Sequence, residues 1–144
     1  MNTISFNCHF PVFAWKRARQ NGKRFFNDDR LTAFKKSVGF HARAAVANQP
    51  PITTPCRLEI YALFTPPESW PKWKQAAALG KPYTCLSDFD NHIKAISDAM
   101  NTIVYVDDRL VSHGAIERYY GRMDTFRVTV LPLEGVPQTK AEAA

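Results

Sequence analysis

Nine residues in the middle of the chain, Cys56–Phe64, do most to limit what it can become. Leu58, Ile60 and Ala62 fall on one face, and Tyr61 and Leu63 on the other. Period-two alternation is the mark of a strand, and a strand with apolar residues on both faces belongs inside a sheet rather than at its edge. Gln49-Pro50-Pro51 ends the segment before it and Pro66-Pro67 breaks the strand itself. A central strand needs neighbours on both sides. Three other stretches can supply them: Thr3–Phe10, with Ile4, Phe6, Cys8 and Phe10 alternating, then Val111–Tyr119 and Phe126–Leu131. Residues Gly121-Arg122-Met123-Asp124 read as a hairpin loop joining the last two.

Between the strands the period changes to three or four. Leu31, Phe34, Val38, His41, Ala42, Ala45 and Val46 would give a helix over Asp29–Ala47 a buried face, with Asn27 or Asp28 as its N-cap. Glu68–Leu79 is rich in helix formers and is followed by Gly80, a plausible residue just past a helix end. A third helix is expected over Asn91–Thr102, with Ile93, Ile96, Ala99, Met100 and Ile103 as its apolar stripe. Residues 81–87 read as a loop and Val106–Arg109 as a turn. The order strand, helix, strand, helix, helix, strand, strand predicts one α+β domain, a mixed sheet of about four strands covered by helices. Its expected extent is residues 1–134, with 135–144 as a flexible polar tail.

The chain has 144 residues, 45% apolar and 22% charged, enough to build a core without metal or disulfide staples. No apolar stretch approaches the roughly 18–20 residues of a membrane span. The N-terminus lacks the order of a signal peptide, because its basic residues follow the apolar stretch. Three widely spaced cysteines, Cys8, Cys56 and Cys85, form no disulfide framework, and a reducing cytoplasmic setting is the simplest. The net charge of +6 is carried by the front third: residues 1–50 hold nine Lys/Arg against two acids. Such asymmetry points to a polyanionic partner, with nucleic acid first and an anionic membrane second. Its densest part is the arm Trp15–Phe26, where Asn21-Gly22 marks a tight turn between Lys16, Arg17, Arg19 and Lys23, Arg24. Phe25 and Phe26 suit a core or dimer contact better than a wedge at an unpaired base.

The back half concentrates acid instead. Asp88, Asp90, Asp98, Asp107 and Asp108 fall within 21 residues and flank the third helix. If Ser87–Asn91 is extended, Asp88 and Asp90 project the same way. Asp107 and Asp108 follow the other end of the helix, about 18 Å away along its axis, so the two pairs meet only if loops fold back. Helix capping and turn formation would explain each aspartate singly. Together they suit a hard divalent cation, which takes carboxylate oxygens and keeps several waters. An EF-hand starting at Asp88 fails, because Ile93 and Ala99 stand where Gly and Glu are required. No Cys or His spacing suits zinc. Lys94 lies four residues from both Asp90 and Asp98. It is either one rung of a solvated charge ladder or a cation placed to steady a phosphorane.

Taken as one pattern, Asp88-x-Asp90-Asn91-x-x-Lys94-x-x-x-Asp98-Ala99-Met100, then Asp107-Asp108-x-x-Val111, resembles the RusA family of Holliday junction resolvases, small endodeoxyribonucleases of phages and prophages. The Pro66–Gly80 segment and the basic arm resemble the corresponding family segments, and the likeness spans roughly residues 4–132. The resemblance implies a RusA-like fold and a homodimer. It implies a Mg2+-dependent nuclease (Mn2+ as a substitute) that nicks two strands of a four-way DNA junction symmetrically. It places the essential aspartates on Asp88, Asp90 and Asp108, the important lysine on Lys94, and a supporting metal ligand on Asp107. Asp98 becomes a structural position. DNA contacts would come from Lys16, Arg17, Arg19, Lys23, Arg24, Lys72, Lys74 and Lys81. One departure stands out: many relatives carry Lys and Pro just before the first aspartate, where this chain has Thr84-Cys85-Leu86-Ser87. It bears on DNA affinity rather than on metal ligation. From the residues alone, a nuclease for other branched or single-stranded DNA and a non-catalytic basic DNA-binding module remain compatible.

Overall fold

The computed structural model describes residues 2–15, 19–21, 24–26, 28–84 and 87–144, with backbone only for 19–21 and 24–26. Lys16, Arg17, Lys23 and Cys85 lie outside it, as do the side chains of Arg19, Arg24, Phe25 and Phe26. The elements are β1 (Ile4–Cys8), β2 (Arg19–Asn21), β3 (Arg24–Phe26), α1 (Asp29–Val46), β4 (Cys56–Phe64), α2 (Lys72–Ala78), α3 (Phe89–Ala99), β5 (Val111–Tyr120) and β6 (Thr125–Pro132). They form a single α+β domain around a four-stranded mixed sheet, ordered β1-β6-β4-β5. β4 runs antiparallel to β6 and parallel to β5. The basic arm forms its own antiparallel ribbon, β2 with β3, pairing Arg19 with Phe26 and Asn21 with Arg24.

β4 is the interior strand its composition requires. Cys56, Leu58, Ile60, Ala62 and Phe64 are buried beneath α1 and α3. The helices reach this face from opposite halves of the chain. Asp28 caps α1 through bonds from the Arg30 and Leu31 amides (2.8 and 3.4 Å), and Leu31, Phe34, Val38, Ala42 and Val46 pack inward. α3 contributes His92, Ala95, Ile96 and Ala99. The other sheet face is open and carries polar pairs such as Ser5–Thr129 and Arg57–Glu59.

Three expectations need correction. β5 and β6 are not a hairpin, because β4 lies between them. Four residues suffice to step across one strand, roughly 10 Å. The step is fastened to the end of β4: the Gly121 amide donates to the Phe64 carbonyl (2.8 Å), and Asp124 Oδ1 accepts from the Thr65 amide (2.9 Å). The second helix is shorter than Glu68–Leu79. Pro71 excludes helical geometry at Trp70, so α2 begins only at Lys72. Gly80 does follow its end, with φ of 81°. The third helix starts two residues early, at Phe89, because Asp88 takes the N-cap position. It stops at Ala99, and Thr102 adopts a left-handed φ of 67° that no helix tolerates.

The segment 80–83 covers the last part of the β5 edge. The Gly80 and Tyr83 amides donate to the carbonyls of Tyr120 and Arg118, and the Tyr120 amide donates to that of Lys81. This fixes where the chain enters α3.

The step over β4 leaves no room at Gly121, where an added Cβ would stand 3.0 Å from Leu63 Cβ, whereas at Gly114 it would meet nothing within 4 Å. Gly121→Ala is expected to lower stability by about 1–3 kcal/mol. Gly114→Ala should change it by less than about 0.5 kcal/mol. Urea unfolding of the two variants measures the contrast.

Candidate active site

α3 lies antiparallel to β5, so its start adjoins the end of that strand and its end adjoins the beginning. At the start, Arg118 of β5 donates through Nη1 to the Ser87 carbonyl (2.6 Å), its guanidinium 5.2 Å from the Tyr83 ring centroid. The Tyr120 hydroxyl meets the amide and hydroxyl of Thr84 (3.4 and 3.3 Å). The approach to Asp88 is therefore held by tertiary contacts.

Asp88 and Asp90 are both exposed in the first turn of α3. Asp88 occupies the N-cap position but its carboxylate caps no amide, while Asp90 Oδ1 accepts from the Asn91 amide (3.0 Å). Of the extended geometry expected for this pair, Asp88 keeps its share (φ −68°, ψ 141°), while Asp90 is already helical. A cap residue and the second helical residue follow helix rotation, so the two do not share a face as strand positions would.

At the other end, Asp98 and Asp108 come together. The Asp108 carboxyl lies close enough to Asp98 to disfavour its ionised form. Burial and this neighbour hold Asp98 above the usual carboxylate range, against the opposing pull of Lys35 and Lys94. Asp108 is set by its backbone, whose amide donates to Asn101 Oδ1 (3.0 Å). Asp107 instead caps the short 3-10 turn Asp108–Leu110, accepting from the Arg109 amide (3.0 Å). Beneath the pair, the buried Tyr105 hydroxyl donates to the Ser97 carbonyl (2.7 Å).

Asp90 and Asp98 are separated by two turns of α3, about 12 Å of rise. Among the described residues, no three acidic, His or Cys side chains gather closely enough to share an ion. The carboxylates stand as two groups, Asp88 with Asp90 and Asp98 with Asp108, and Lys94 lies between them on the helix.

Lys94 takes neither aspartate as an ion-pair partner. Its ammonium lies over the Trp15 ring, 4.3 Å from the centroid. The Trp15 amide donates to the Asn91 carbonyl (2.9 Å), so the ring is fastened to α3 independently of the cation. Magnitudes account for the choice: an exposed i,i+4 ion pair contributes about 0.3–0.5 kcal/mol, and a cation over an indole about 0.5–1 kcal/mol or more.

Hard carboxylate oxygens are the right donors for a divalent ion of the magnesium type. Such an ion needs only one or two carboxylates besides waters and phosphate oxygens. Asp88, Asp90 and Asp107 are exposed or half-buried carboxylates that offer such oxygens. The buried thiols do not fit: burial raises Cys56 and pushes Cys8 up to about 12, far from a thiolate at neutral pH.

The cations expected to contact DNA lie partly in view. Lys72, Lys74 and Lys81 are exposed on α2 and the segment after it, with Lys74 over the Trp70 ring (4.1 Å). That region adjoins the end of β5 where Ser87 is held.

Sequence reasoning passed over Trp15, Lys35, Asn101 and Arg118 as site residues. Trp15 was noted only as the first residue of a basic arm, and no local signal ties it to Lys94. Asp98, expected as a structural position, lies near Asp108.

Comparison with known families gives one match. The family model described as Endodeoxyribonuclease RusA matches residues 12–131. No curated protein matches the chain.

His92 stacks on Phe64 inside this region (5.4 Å between centroids), and its buried Nδ1 has no partner among the described residues. Burial, with Arg118 nearby, pushes its pKa down to about 4. The unfolded chain therefore binds a proton that the folded chain refuses between about pH 6.5 and 4. Stability should fall as pH drops through that window, and the fall should be smaller in His92→Phe. Urea midpoints from pH 7 to pH 4 test this.

Proposed function

The chain belongs to the RusA family of endodeoxyribonucleases, matched over residues 12–131, and we propose that it resolves four-way DNA junctions by paired, metal-dependent hydrolysis of phosphodiester bonds. What supports this reading is α3: exposed Asp88 and Asp90 at its start, Asp98 near Asp108 at its end, and Lys94 between them with its ammonium over Trp15 rather than on a carboxylate.

In this reading Asp88 and Asp90 would offer carboxylates to a divalent cation at one end of α3, and Asp108, with Asp107 beside it, at the other. When bound, Mg2+, with Mn2+ as a substitute, would supply a Lewis acid for a phosphoryl oxygen and an activated water. Lys94 projects from the middle of α3 and neutralises charge that develops on the attacked phosphate. Asp98 is a structural neighbour of Asp108. Arg118 and Tyr120 hold the backbone ahead of Asp88. Asn101 orients the turn that carries Asp107 and Asp108.

Affinity comes from phosphate neutralisation. Lys72, Lys74 and Lys81 supply one cationic surface, and the β2–β3 ribbon with Lys16, Arg17, Arg19, Lys23 and Arg24 supplies another. A junction has approximate two-fold symmetry, and a homodimer of this chain presents two copies of the site to two strands. The nuclease domain is residues 1–134, the exposed 135–144 segment is dispensable, and the enzyme works in the cytoplasm. No helix among the described residues is long and apolar enough to cross a membrane.

The deciding experiment is cleavage of a synthetic four-way junction in Mg2+, with linear duplex as control. Paired symmetric nicks on the junction alone are expected. Asp90→Asn and Asp108→Asn should each lower the rate by more than about a hundredfold, since even outer-shell changes at metal sites cost ten- to a hundredfold. Comparable turnover on flaps or single strands would replace junction resolution with a broader nuclease. Binding without cleavage in any divalent metal would leave a DNA-binding module. Lys74→Ala should weaken junction binding without regard to sequence and reduce the slope of log affinity against log salt by about one.

A further inference from the structure

Lys94 stands in an unusual position for a lysine four residues from an aspartate on either side. Asp90 precedes it in the favourable acid-before-base order, and both aspartates belong to the same helix face. An ammonium resting on either carboxylate would compete with a divalent cation for it. Instead the ammonium lies over Trp15, which approaches from outside α3. Trp15 is half-buried, packs on the core, and is bonded by its own amide to the Asn91 carbonyl one turn before Lys94. The ring therefore occupies its place by virtue of the backbone, and the lysine comes to it. No ion pair joins Lys94 to any acid among the described residues.

We infer that Trp15 is a positioning residue: its indole draws the Lys94 ammonium off Asp90, leaving that carboxylate open to a metal ion and the ammonium open to a phosphate. This rests on the nuclease reading above. It also gives the start of the basic arm a role at the site, because Trp15 is the first residue of that arm. A lysine that needs no release from a carboxylate is ready for DNA, and carboxylates that carry no lysine are ready for metal. Both conditions must hold at once, and an aromatic ring meets them because it attracts the cation without adding an anion.

The test uses the full chain without DNA, so that metal binding is read apart from cleavage. Mn2+ affinity is measured by isothermal titration for the native protein, Trp15→Leu, Trp15→Phe, Lys94→Met, the Trp15→Leu/Lys94→Met pair, Asp90→Asn and Asp108→Asn. Proton NMR follows the Lys94 ε-methylene, which a ring 4.3 Å from the ammonium shifts upfield. In Trp15→Leu that shift should vanish and Mn2+ should bind about fivefold more weakly, the scale of one cation–π contact. Removing the lysine as well should restore native affinity, which a merely structural role for the tryptophan would not do. Trp15→Phe keeps a ring, and should keep both the shift and most of the affinity. Thermal melts confirm that each variant folds. If Asp90→Asn weakens Mn2+ binding but Trp15→Leu does not, the role of Trp15 is overturned alone. The same holds if the weakening persists in the double variant. If both Asp90→Asn and Asp108→Asn bind Mn2+ like the native protein, the proposed metal site falls and the role of Trp15 falls with it.

Discussion

The position of α3 across the sheet is the constraint on which the site depends. Its inner face is committed by Ala95, Ile96 and Ala99, all buried against the face that β4 and β6 present. That packing fixes the helix's rotation, and rotation decides which residues face solvent: Asp90 and Lys94 along one line, and Asp98 below them at the boundary. Both ends are then tied to the strand beyond. Arg118 reaches the Ser87 carbonyl at one end, and Asn101 receives the Asp108 amide at the other. A helix fixed by packing in the middle and by hydrogen bonds at both ends has no freedom to slide, so the distance between its two carboxylate groups is a property of the fold.

Charge distribution follows from the same placement. Asp98 comes near Asp108 where burial already disfavours its ionised form. Lys35 from α1 and Lys94 from α3 soften that penalty without either forming an ion pair with it. Asp107, one residue from Asp108, instead accepts from the Arg109 amide and behaves as an ordinary cap.

What could be read in advance was local. The alternation in Cys56–Phe64, the Asp28 cap and the apolar stripe of α1 are each written in neighbouring residues, and each has a partner within a few positions. The β4 placement was legible too, because its long alternating run, buried at Cys56, Leu58, Ile60, Ala62 and Phe64, suits the middle of a sheet. That same placement overrode the short loop at 121–124, which in isolation favours a hairpin. The start of α3 was misread for a different reason. Asp88 and Asp90 are equally good N-caps, and only the burial of His92, Ala95 and Ile96 selects the earlier frame. Trp15 and Arg118 were beyond local reasoning, since each acts on a residue distant in sequence that only the tertiary fold brings near.

Arg118 also explains how the chain manages without the proline that many RusA relatives carry before the first aspartate. A proline there restricts the backbone by its ring, a purely local device. Here the Arg118 guanidinium holds the Ser87 carbonyl from β5 while lying over Tyr83. That constraint is tertiary rather than local. Its strength depends on β5 being formed and on the 80–83 segment lying against it. A proline would order the same residues in the unfolded chain as well. The substitution thus moves part of the entropy cost of shaping the site from the sequence to the fold.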